Sequence, residues 1–214
     1  MQKIPRLLDA ADRRVLGALL EKEQTTPEVY PLTVNALVAA CNQKTAREPV
    51  MELSEAEVQA ALRRLFEDVL VWRAESARVT RWRQSVERRW ALDGATKAIM
   101  TLLLLRGPQT IGELRNRSER LHAFASTEEL EAALVRLAAP PEPLVAELPR
   151  GPGQKEARWM HLVGDEPIPA EPKALRWASP ATSGPDPSLA ERVAVLERRL
   201  DELERRIEGI PAPG

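Results

Sequence analysis

The stretch SEAEVQAALRRL at residues 54–65 occurs again, in altered form, as STEELEAALVRL at residues 126–137. In both copies a serine is followed three residues later by a glutamate, the capping-box pattern that satisfies free backbone N–H groups at the start of a helix. Apolar residues then recur at helical spacing, which gives each copy one buried face. The stretch therefore predicts the same amphipathic helix twice.

The similarity between the two halves extends to both sides of this helix. PLTVNAL at residues 31–37 aligns with PQTIGEL at residues 108–114, and RWRQ at residues 81–84 aligns with RWMH at residues 158–161. Both pairs share one shift of 77 residues, whereas the capped helix repeats at a shift of 72. The insertions therefore fall in the loops between elements. This pattern indicates an internal duplication of one structural unit.

Each unit is predicted to contain three helices followed by a β-hairpin. In the first copy the helices begin at the capping residues Asp9, Thr33 and Ser54. After the third helix the hydrophobic period changes to two, which predicts two short strands. Three helices and a hairpin in this order are typical of a winged-helix domain, a helix-turn-helix with a β-wing. We predict a mainly α protein with small β-hairpins, built from two tandem winged-helix domains at residues 1–91 and 92–163.

Two further segments follow the duplicated unit. Residues 164–187 contain six prolines and are predicted to be a linker. In residues 188–210 apolar side chains alternate steps of four and three, which predicts a coiled-coil helix. Flanking arginines and glutamates would pair across a parallel homodimer, although the helix could instead fold back on the globular part. The predicted dimer contacts are Leu189, Val193, Leu196, Leu200, Leu203, Ile207 and Ile210.

Composition limits the classes of protein that fit this sequence. The net charge of the 214 residues is −1, so any contact with nucleic acid must come from a local patch. The single cysteine, Cys41, excludes an internal disulfide and fits a reducing cytosol. No apolar run approaches the roughly 20 residues of a membrane helix, and the first residues lack the apolar stretch of a signal peptide. We therefore expect a cytoplasmic protein without a membrane partner.

The sequence offers no arrangement of residues for catalysis. His122 and His161 are the only histidines, and neither has a carboxylate or thiol at ligand spacing. Cys41 lies on an apolar helix face and is expected to be a small core residue. The glycines of RGPGQ do not form a phosphate-binding loop pattern. Because no nucleophile, base and orienting group can be assembled, we predict a non-enzymatic protein with no metal and no cofactor.

The first predicted wing is the main argument for DNA binding. Six arginines and two acids lie between residues 71 and 90, which is a plausible patch for phosphates, although the same arginines could form a solvated strand face. Alternation along the second strand predicts that Trp82 packs inward on the third helix while Arg81 and Arg83 face water. The predicted nucleic-acid contacts are Lys44, Arg47, Arg63, Arg73, Arg78, Arg81 and Arg83.

The loop in front of the third helix, residues 43–53, leaves two interpretations open. It could be a polar contact surface on which Lys44 and Arg47 project near the start of that helix, or an ordinary connector with solvated cations. The helix itself begins with acids, Glu55 and Glu57 among them. Acids there favour the helix dipole but repel phosphates, so any DNA contact rests mainly on the first wing.

Three long stretches resemble a known family. They are EKEQTTPEVYPLTVNALVAACNQKTAREPVMELSEAEV at residues 21–58, LLLRGPQTIGELRNRSERLHAF at residues 103–124 and ELPRGPGQKEARW at residues 147–159. They resemble the YceH-like family of uncharacterised bacterial proteins over residues 7–163, with the tail outside the resemblance. The resemblance implies tandem winged-helix domains and implies no activity and no functional residues.

Two classes of function remain at this point. The first is a dimeric DNA-binding protein, such as a transcriptional regulator. In this class the tail forms the dimer, and the wings of the two first-copy domains contact phosphates. The second is a protein-interaction scaffold without DNA binding. Tandem winged helices also act as adaptors in chromosome-organising complexes, a comparison that rests on fold alone.

Overall fold

A computed structural model of the chain describes residues 4–76, 79–150 and 155–165. All of these residues belong to one compact unit. The predicted linker and coiled coil lie almost wholly beyond residue 165, and Arg78 falls in the short gap at the tip of the first hairpin. The predictions for those residues, including dimerisation through the tail, therefore stay predictions.

The described residues form a mainly helical structure with two small antiparallel hairpins, as predicted. The first half contains α1 (Ala10–Thr25), a short 3₁₀ helix (Pro27–Val29), α2 (Val34–Cys41), α3 (Glu55–Glu67), β1 (Val71–Ser76) and β2 (Val79–Gln84). A single turn, α4 (Val86–Arg89), leads into the second half. That half contains α5 (Gly94–Arg106), α6 (Ile111–Ser118), α7 (Thr127–Leu137), β3 (Val145–Leu148) and β4 (Arg158–His161).

The helices begin where the capping residues predict. The side chain of Asp9 accepts a backbone N–H of the first turn of α1 at 2.8 Å, and Ser54 and Glu57 form a complete capping box on α3. The prediction of a complete box at Ser126 is wrong. There the Glu129 carboxylate accepts the N–H of the residue before the serine, at 2.7 Å, so only the serine half of the box forms.

The duplication extends to individual hydrogen bonds. Between α1 and α2, Leu32 exchanges two backbone hydrogen bonds with Trp82 of β2, at 2.7 and 3.0 Å. Between α5 and α6, Gln109 does the same with Trp159 of β4, at 2.7 and 2.9 Å. Each half therefore adds a one-residue bridge to its hairpin, and both bridges connect residues at the predicted shift of 77.

The buried faces of the third helices are also those predicted from the sequence. Four residues of α3 at helical spacing are buried, and four of α7 at the same spacing are buried in the second half. These are Val58, Ala61, Leu62 and Leu65 in α3, with Leu130, Ala133, Leu134 and Leu137 in α7.

The two halves pack together through α1 and α5. A Cβ atom at Gly17 of α1 would lie 2.9 Å from the side chain of Leu105 of α5, so the glycine permits this close approach. Helix α5 is buried around nearly its whole circumference, as expected of a central core helix. The loop before α3 also reaches the second half, because the N–H of Glu48 donates to the carbonyl of Leu105 at 2.8 Å.

Candidate interaction surface

The register of the first hairpin decides which side chains share a face. Trp72 of β1 lies opposite Arg83 of β2, and Arg73 lies opposite Trp82. The predicted inward position of Trp82 is confirmed, since its half-buried ring packs edge-to-face on Phe66 of α3 with centroids 6.1 Å apart. Arg73 therefore shares the face of Trp82, whereas Arg83 shares the opposite face with Trp72.

An exposed group of aromatic and cationic side chains lies where α3 meets β1. The rings of Phe66 and Trp72 are 5.8 Å apart, and both remain exposed, to 37% and 49%. The guanidinium carbon of Arg73 lies 5.8 Å from the centre of the Phe66 ring, within the range of a cation–π interaction. We name Phe66, Val69, Trp72, Arg73 and Arg83 the hairpin surface.

Val69 occupies an unusual backbone conformation within this surface. It forms the turn between α3 and β1 with a φ of 59°, a region that β-branched residues rarely adopt. Left-handed backbone costs a side chain with a Cβ roughly 1–2 kcal/mol. Its side chain is nevertheless 40% exposed and contributes little to the core. The strained turn therefore places an exposed valine beside two exposed aromatic rings.

The second half of the molecule lacks this surface although it repeats the framework. Ala138 directly follows α7 and aligns with Phe66 of α3, at the shift of 72 between the two helices. Glu147 lies opposite Trp159, as Arg73 lies opposite Trp82. Ala146 precedes it, at the position equivalent to Trp72, and is buried. The second half therefore forms without aromatic side chains at these positions.

The cations predicted to contact nucleic acid do not form one group. Arg63, Arg73 and Arg83 are exposed beside or on the hairpin surface, and Lys44 is exposed on the loop before α3. Arg81 is half-buried and donates to the carbonyl of Pro31 at 2.9 Å. Arg158 makes the same bond to Pro108 at 2.8 Å in the second half, so this arginine is part of the repeated framework.

The predicted exposure of Arg47 is wrong. Its side chain is fully buried, and its guanidinium forms two bonds with the carboxylate of Glu21, at 3.0 and 2.6 Å. It also donates to the carbonyl of Ala40 at 2.9 Å. The reason is the path of the loop, which turns down onto α1 and α5 instead of projecting beside α3. Arg47 is thus unavailable for phosphate contact.

Two further contacts hold this loop in place. The buried guanidinium of Arg14 on α1 donates to the carbonyls of Cys41 and Pro49 at its two ends. The side chain of Asn42 bonds both the N–H and the carbonyl of Leu53, each at 2.8 Å. The loop is therefore a fixed joint between the two halves, which favours the connector interpretation for all of it except Lys44.

The sequence analysis did not predict a repeated ion pair that joins each third helix to the capping aspartate of the first helix in the same half. Arg64 of α3 donates to the capping carboxylate of Asp9 at 2.8 Å, and also to buried Asp12. Arg136 of α7 donates to the capping carboxylate of Asp93 at 2.8 Å. Both arginines and both aspartates align in the internal repeat, which is the signal that could have found them. Arg64 is therefore held by ion pairs within the first half.

Acidic side chains dominate the exposed start of α3. Glu55 and Glu57 are both exposed, and hydrogen bonds from the Ser54 side chain and backbone lower the pKa of Glu57. In α7 the exposed Glu128 and Glu129 occupy the same turn. Neither third helix therefore offers phosphates a positive first turn.

Cys41 and His161 are both buried. Burial raises the pKa of the Cys41 thiol to about 12, so the reactive thiolate is disfavoured. Burial, and then the charge of Arg13, lower the pKa of His161 to about 4. Within residues 4–76, 79–150 and 155–165, no group of three or more His, Cys, Asp or Glu side chains could hold a metal ion. Over the same ranges, none of the helices combines the length and apolarity needed to cross a bilayer.

Comparison with known sequences finds clear relatives. A family described as "Protein of unknown function, DUF480" matches residues 8–154. A UPF0502 protein of Chromobacterium violaceum is 46% identical over 204 residues, covering 94% of this chain and 93% of the relative. UPF0502 proteins of Azoarcus sp. (strain BH72) and Stenotrophomonas maltophilia (strain K279a) are 48% and 47% identical, each over 94% of this chain and over 88% and 93% of their own.

The alignments with individual relatives extend further along the chain than the family model does. An alignment that covers 94% of 214 residues leaves too few residues uncovered to exclude the segment after residue 163. The tail is thus partly shared with these relatives, whereas the family model ends at residue 154, within the expected limit at residue 163.

Proposed function

The chain belongs to the DUF480 family of proteins of unknown function, and on that premise we propose that it is a non-enzymatic protein-interaction module. In this proposal two winged-helix domains form the framework, and the hairpin surface of the first domain binds an acidic segment of a partner protein. The function follows from this chain's own surfaces, because the names of its relatives specify none.

The order of elements supports the winged-helix interpretation. In each half a helix is followed by a one-residue bridge, two more helices and an antiparallel hairpin. The bridges join Leu32 to Trp82 and Gln109 to Trp159, so the segment between the first two helices pairs with the second hairpin strand. A helix-turn-helix core with a sheet of this kind is the arrangement of a winged helix.

The observation that carries the proposal is the difference between the two halves. The same framework holds exposed Phe66, Trp72 and Arg73 in the first half, but Ala138, Ala146 and Glu147 in the second. Since the second half folds without aromatic side chains at these positions, the repeated framework does not depend on them. Exposed apolar side chains that the fold does not need mark an interaction site.

The chemistry of the hairpin surface indicates the kind of partner. Tryptophan, phenylalanine and arginine are enriched in protein interfaces, where they contribute most of the binding energy. Arg73 lies against Phe66, Arg83 lies across from Trp72 on the opposite face of the hairpin, and Arg63 lies one helical turn before Phe66. Three cations around two rings complement a segment with acidic side chains next to an apolar one.

The start of α3 argues against duplex DNA as the partner of the whole domain. A DNA-binding winged helix inserts this helix in the major groove, where exposed Glu55 and Glu57 would approach phosphates. Burial of Arg47 and the pairing of Arg64 with Asp9 remove two of the cations that could offset these acids. A protein partner does not meet this repulsion.

Site-specific photo-crosslinking in living cells tests the proposal. A benzoyl-phenylalanine replaces Trp72 in one strain and exposed Val135 of α7 in a control strain, and crosslinked peptides are mapped. We expect adducts from position 72 that are absent from position 135, with Asp and Glu exceeding Lys and Arg in the mapped segment. Crosslinking to DNA, or the same adducts from both positions, would contradict the proposal.

DNA binding is the second candidate, and the exposed cations Lys44, Arg63 and Arg83 favour it. It predicts that affinity for a random duplex falls steeply between about 50 and 200 mM salt, because phosphate contacts release counterions. Removing either Arg63 or Arg83 should reduce the slope of log affinity against log salt concentration by about one. Absence of binding at the lower salt concentration would remove this candidate.

A further inference from the structure

A cleft opens between the two halves, away from the hairpin surface. It is bounded by the end of α1, the loop at residues 43–46, and helices α5 and α6, and its volume is about 930 Å³. Ligand pockets in proteins commonly have volumes of about 300–1,000 Å³. The cleft exists because the loop before α3 crosses to α5, so only the assembled pair of halves forms it.

The cleft is strongly cationic. Among the described residues that line it, Glu21 is the one acid, and its carboxylate is paired with the buried guanidinium of Arg47 and lies 3.8 Å from Lys22. Clustered cations in a recess raise the local concentration of anions. The lining cations are Lys22, Lys44, Arg106, Arg117 and Arg120.

Two buried polar atoms of lining residues have no hydrogen-bond partner in the described part of the chain. The amide nitrogen of Gln24 donates to the carbonyl of Leu20 at 2.8 Å and to the hydroxyl of Thr101 at 3.0 Å. These bonds fix the orientation of the amide, so its oxygen is left as a buried acceptor without a donor. The Nε of Arg106 is likewise a buried donor without an acceptor. Unsatisfied buried groups are rare and call for a ligand or bound solvent.

Repulsion among the lining cations also favours a bound anion. Burial, and then the nearby charge of Arg117, lower the pKa of Arg106, while Glu48 offsets this effect only in part. The guanidinium of Arg117 is tied to Gln109 at 2.9 Å and to Glu113 at 3.5 Å. A bound anion would reduce this repulsion and would accept from the free donor of Arg106.

We propose that this cleft binds a small phosphate-bearing ligand, with its phosphate among Lys44, Arg106 and Arg120 and a hydrogen-bond donor of its organic part directed to Gln24. Arginine and lysine together are the side chains that recognise phosphate. Lys44 and Arg120 are exposed, and neither has an ion pair with any described residue. Gln24 is half-buried and its side-chain oxygen is recessed, which favours a small molecule over a rigid duplex.

Calorimetric titration of the full chain tests this site with pyrophosphate and with ATP as probes, at low ionic strength. We expect saturable binding of at least one probe in a 1:1 ratio. Binding of both identifies the phosphate group alone as sufficient, and binding of ATP alone identifies a nucleotide-like ligand. In Lys44→Ala/Arg120→Ala the affinity should fall about tenfold or more, since two charge-assisted contacts to the phosphate are lost.

Two comparisons make the result specific to the cleft. Arg88→Ala/Arg150→Ala removes two exposed arginines that do not line it, and its affinity should be unchanged. Asn116→Asp adds an acid to the exposed rim and should also weaken binding. No saturable binding of either probe, or equal weakening in the Arg88/Arg150 control, would overturn the proposal. Displacement of the bound probe from these residues by duplex DNA would overturn it as well.

Discussion

The guanidinium of Arg47 and the carboxylate of Glu21 form a two-bond ion pair, at 3.0 and 2.6 Å, beneath the loop that joins the two halves. The side chain of Arg47 is wholly inaccessible, and Glu21 is nearly so. Because the same loop donates from Glu48 to the carbonyl of Leu105 on α5, this ion pair holds the joint on which the inter-half cleft depends.

Replacing Arg47 with methionine should destabilise the protein strongly. The substitution leaves Glu21 charged and largely buried without its partner, and breaking a buried pair costs about 3–5 kcal/mol. Lys44→Met is the control, because Lys44 is exposed on the same loop, and it should change stability by less than about 0.5 kcal/mol. Urea unfolding of both variants decides the question, and equal stabilities would show that the pair does not hold the loop.

The two repeated ion pairs differ in burial, so removing them should cost different amounts of folding stability. Arg64 contacts Asp12, whose side chain is fully buried, whereas Arg136 and Asp93 are each about half-exposed. Arg64→Ala should therefore cost about 2 kcal/mol, since it weakens the satisfaction of a buried charge. Arg136→Ala should cost less than about 1 kcal/mol, as exposed pairs do. Thermal unfolding of the two variants measures both losses of stability. A larger loss in Arg136→Ala than in Arg64→Ala would contradict the prediction.

Relieving the strain at Val69 should stabilise the fold. Its φ of 59° suits asparagine far better than a β-branched side chain. Val69→Asn should therefore raise the free energy of unfolding by about 1 kcal/mol, measured by urea unfolding. If Val69 is retained for contact, the same variant should bind the mapped partner segment more weakly. A variant that loses stability would show that the valine is needed for packing.

His161 should make the protein sensitive to mild acid. Burial and Arg13 lower its pKa to about 4, against about 6.5 in an unfolded chain. The unfolded state therefore gains a proton first, so the stability that the neutral ring supports is complete above pH 6.5 and is lost as the pH falls toward 4. The full loss is about 3 kcal/mol.

The variant His161→Gln isolates this contribution. Unfolding free energies of both chains measured from pH 7 to pH 4 should converge by about that amount, because the glutamine variant lacks the titrating group. Parallel curves would show that protonation of His161 is not coupled to unfolding.

The fold could be predicted from local patterns because each was repeated. Capping residues such as Ser54 and Thr110, helical stripes and the change to a period of two in the hairpins each occur in both halves. Local periodicity fixes which face of an element is buried, and this is why the inward position of Trp82 was predicted correctly.

The site could be predicted only in part, because it depends on contacts distant in the chain. Nothing near Arg47 in the sequence marks Glu21 as its partner, and the loop's descent onto Leu105 requires the second half to be in place. The contact between Phe66 and Trp72 depends on the turn at Val69. Register and chain reversal at that turn are not encoded in the hydrophobic pattern.

The most direct test of the hairpin surface is the affinity of its mapped partner segment for the purified chain. Trp72→Ala should weaken binding by about 2 kcal/mol or more, as removal of a central aromatic contact does, and Arg73→Glu should weaken it too. Reversing one acid of the partner to arginine should restore affinity for the Arg73→Glu chain. Unchanged affinity in Trp72→Ala, or an equal loss in a Val135→Ala control, would contradict the account.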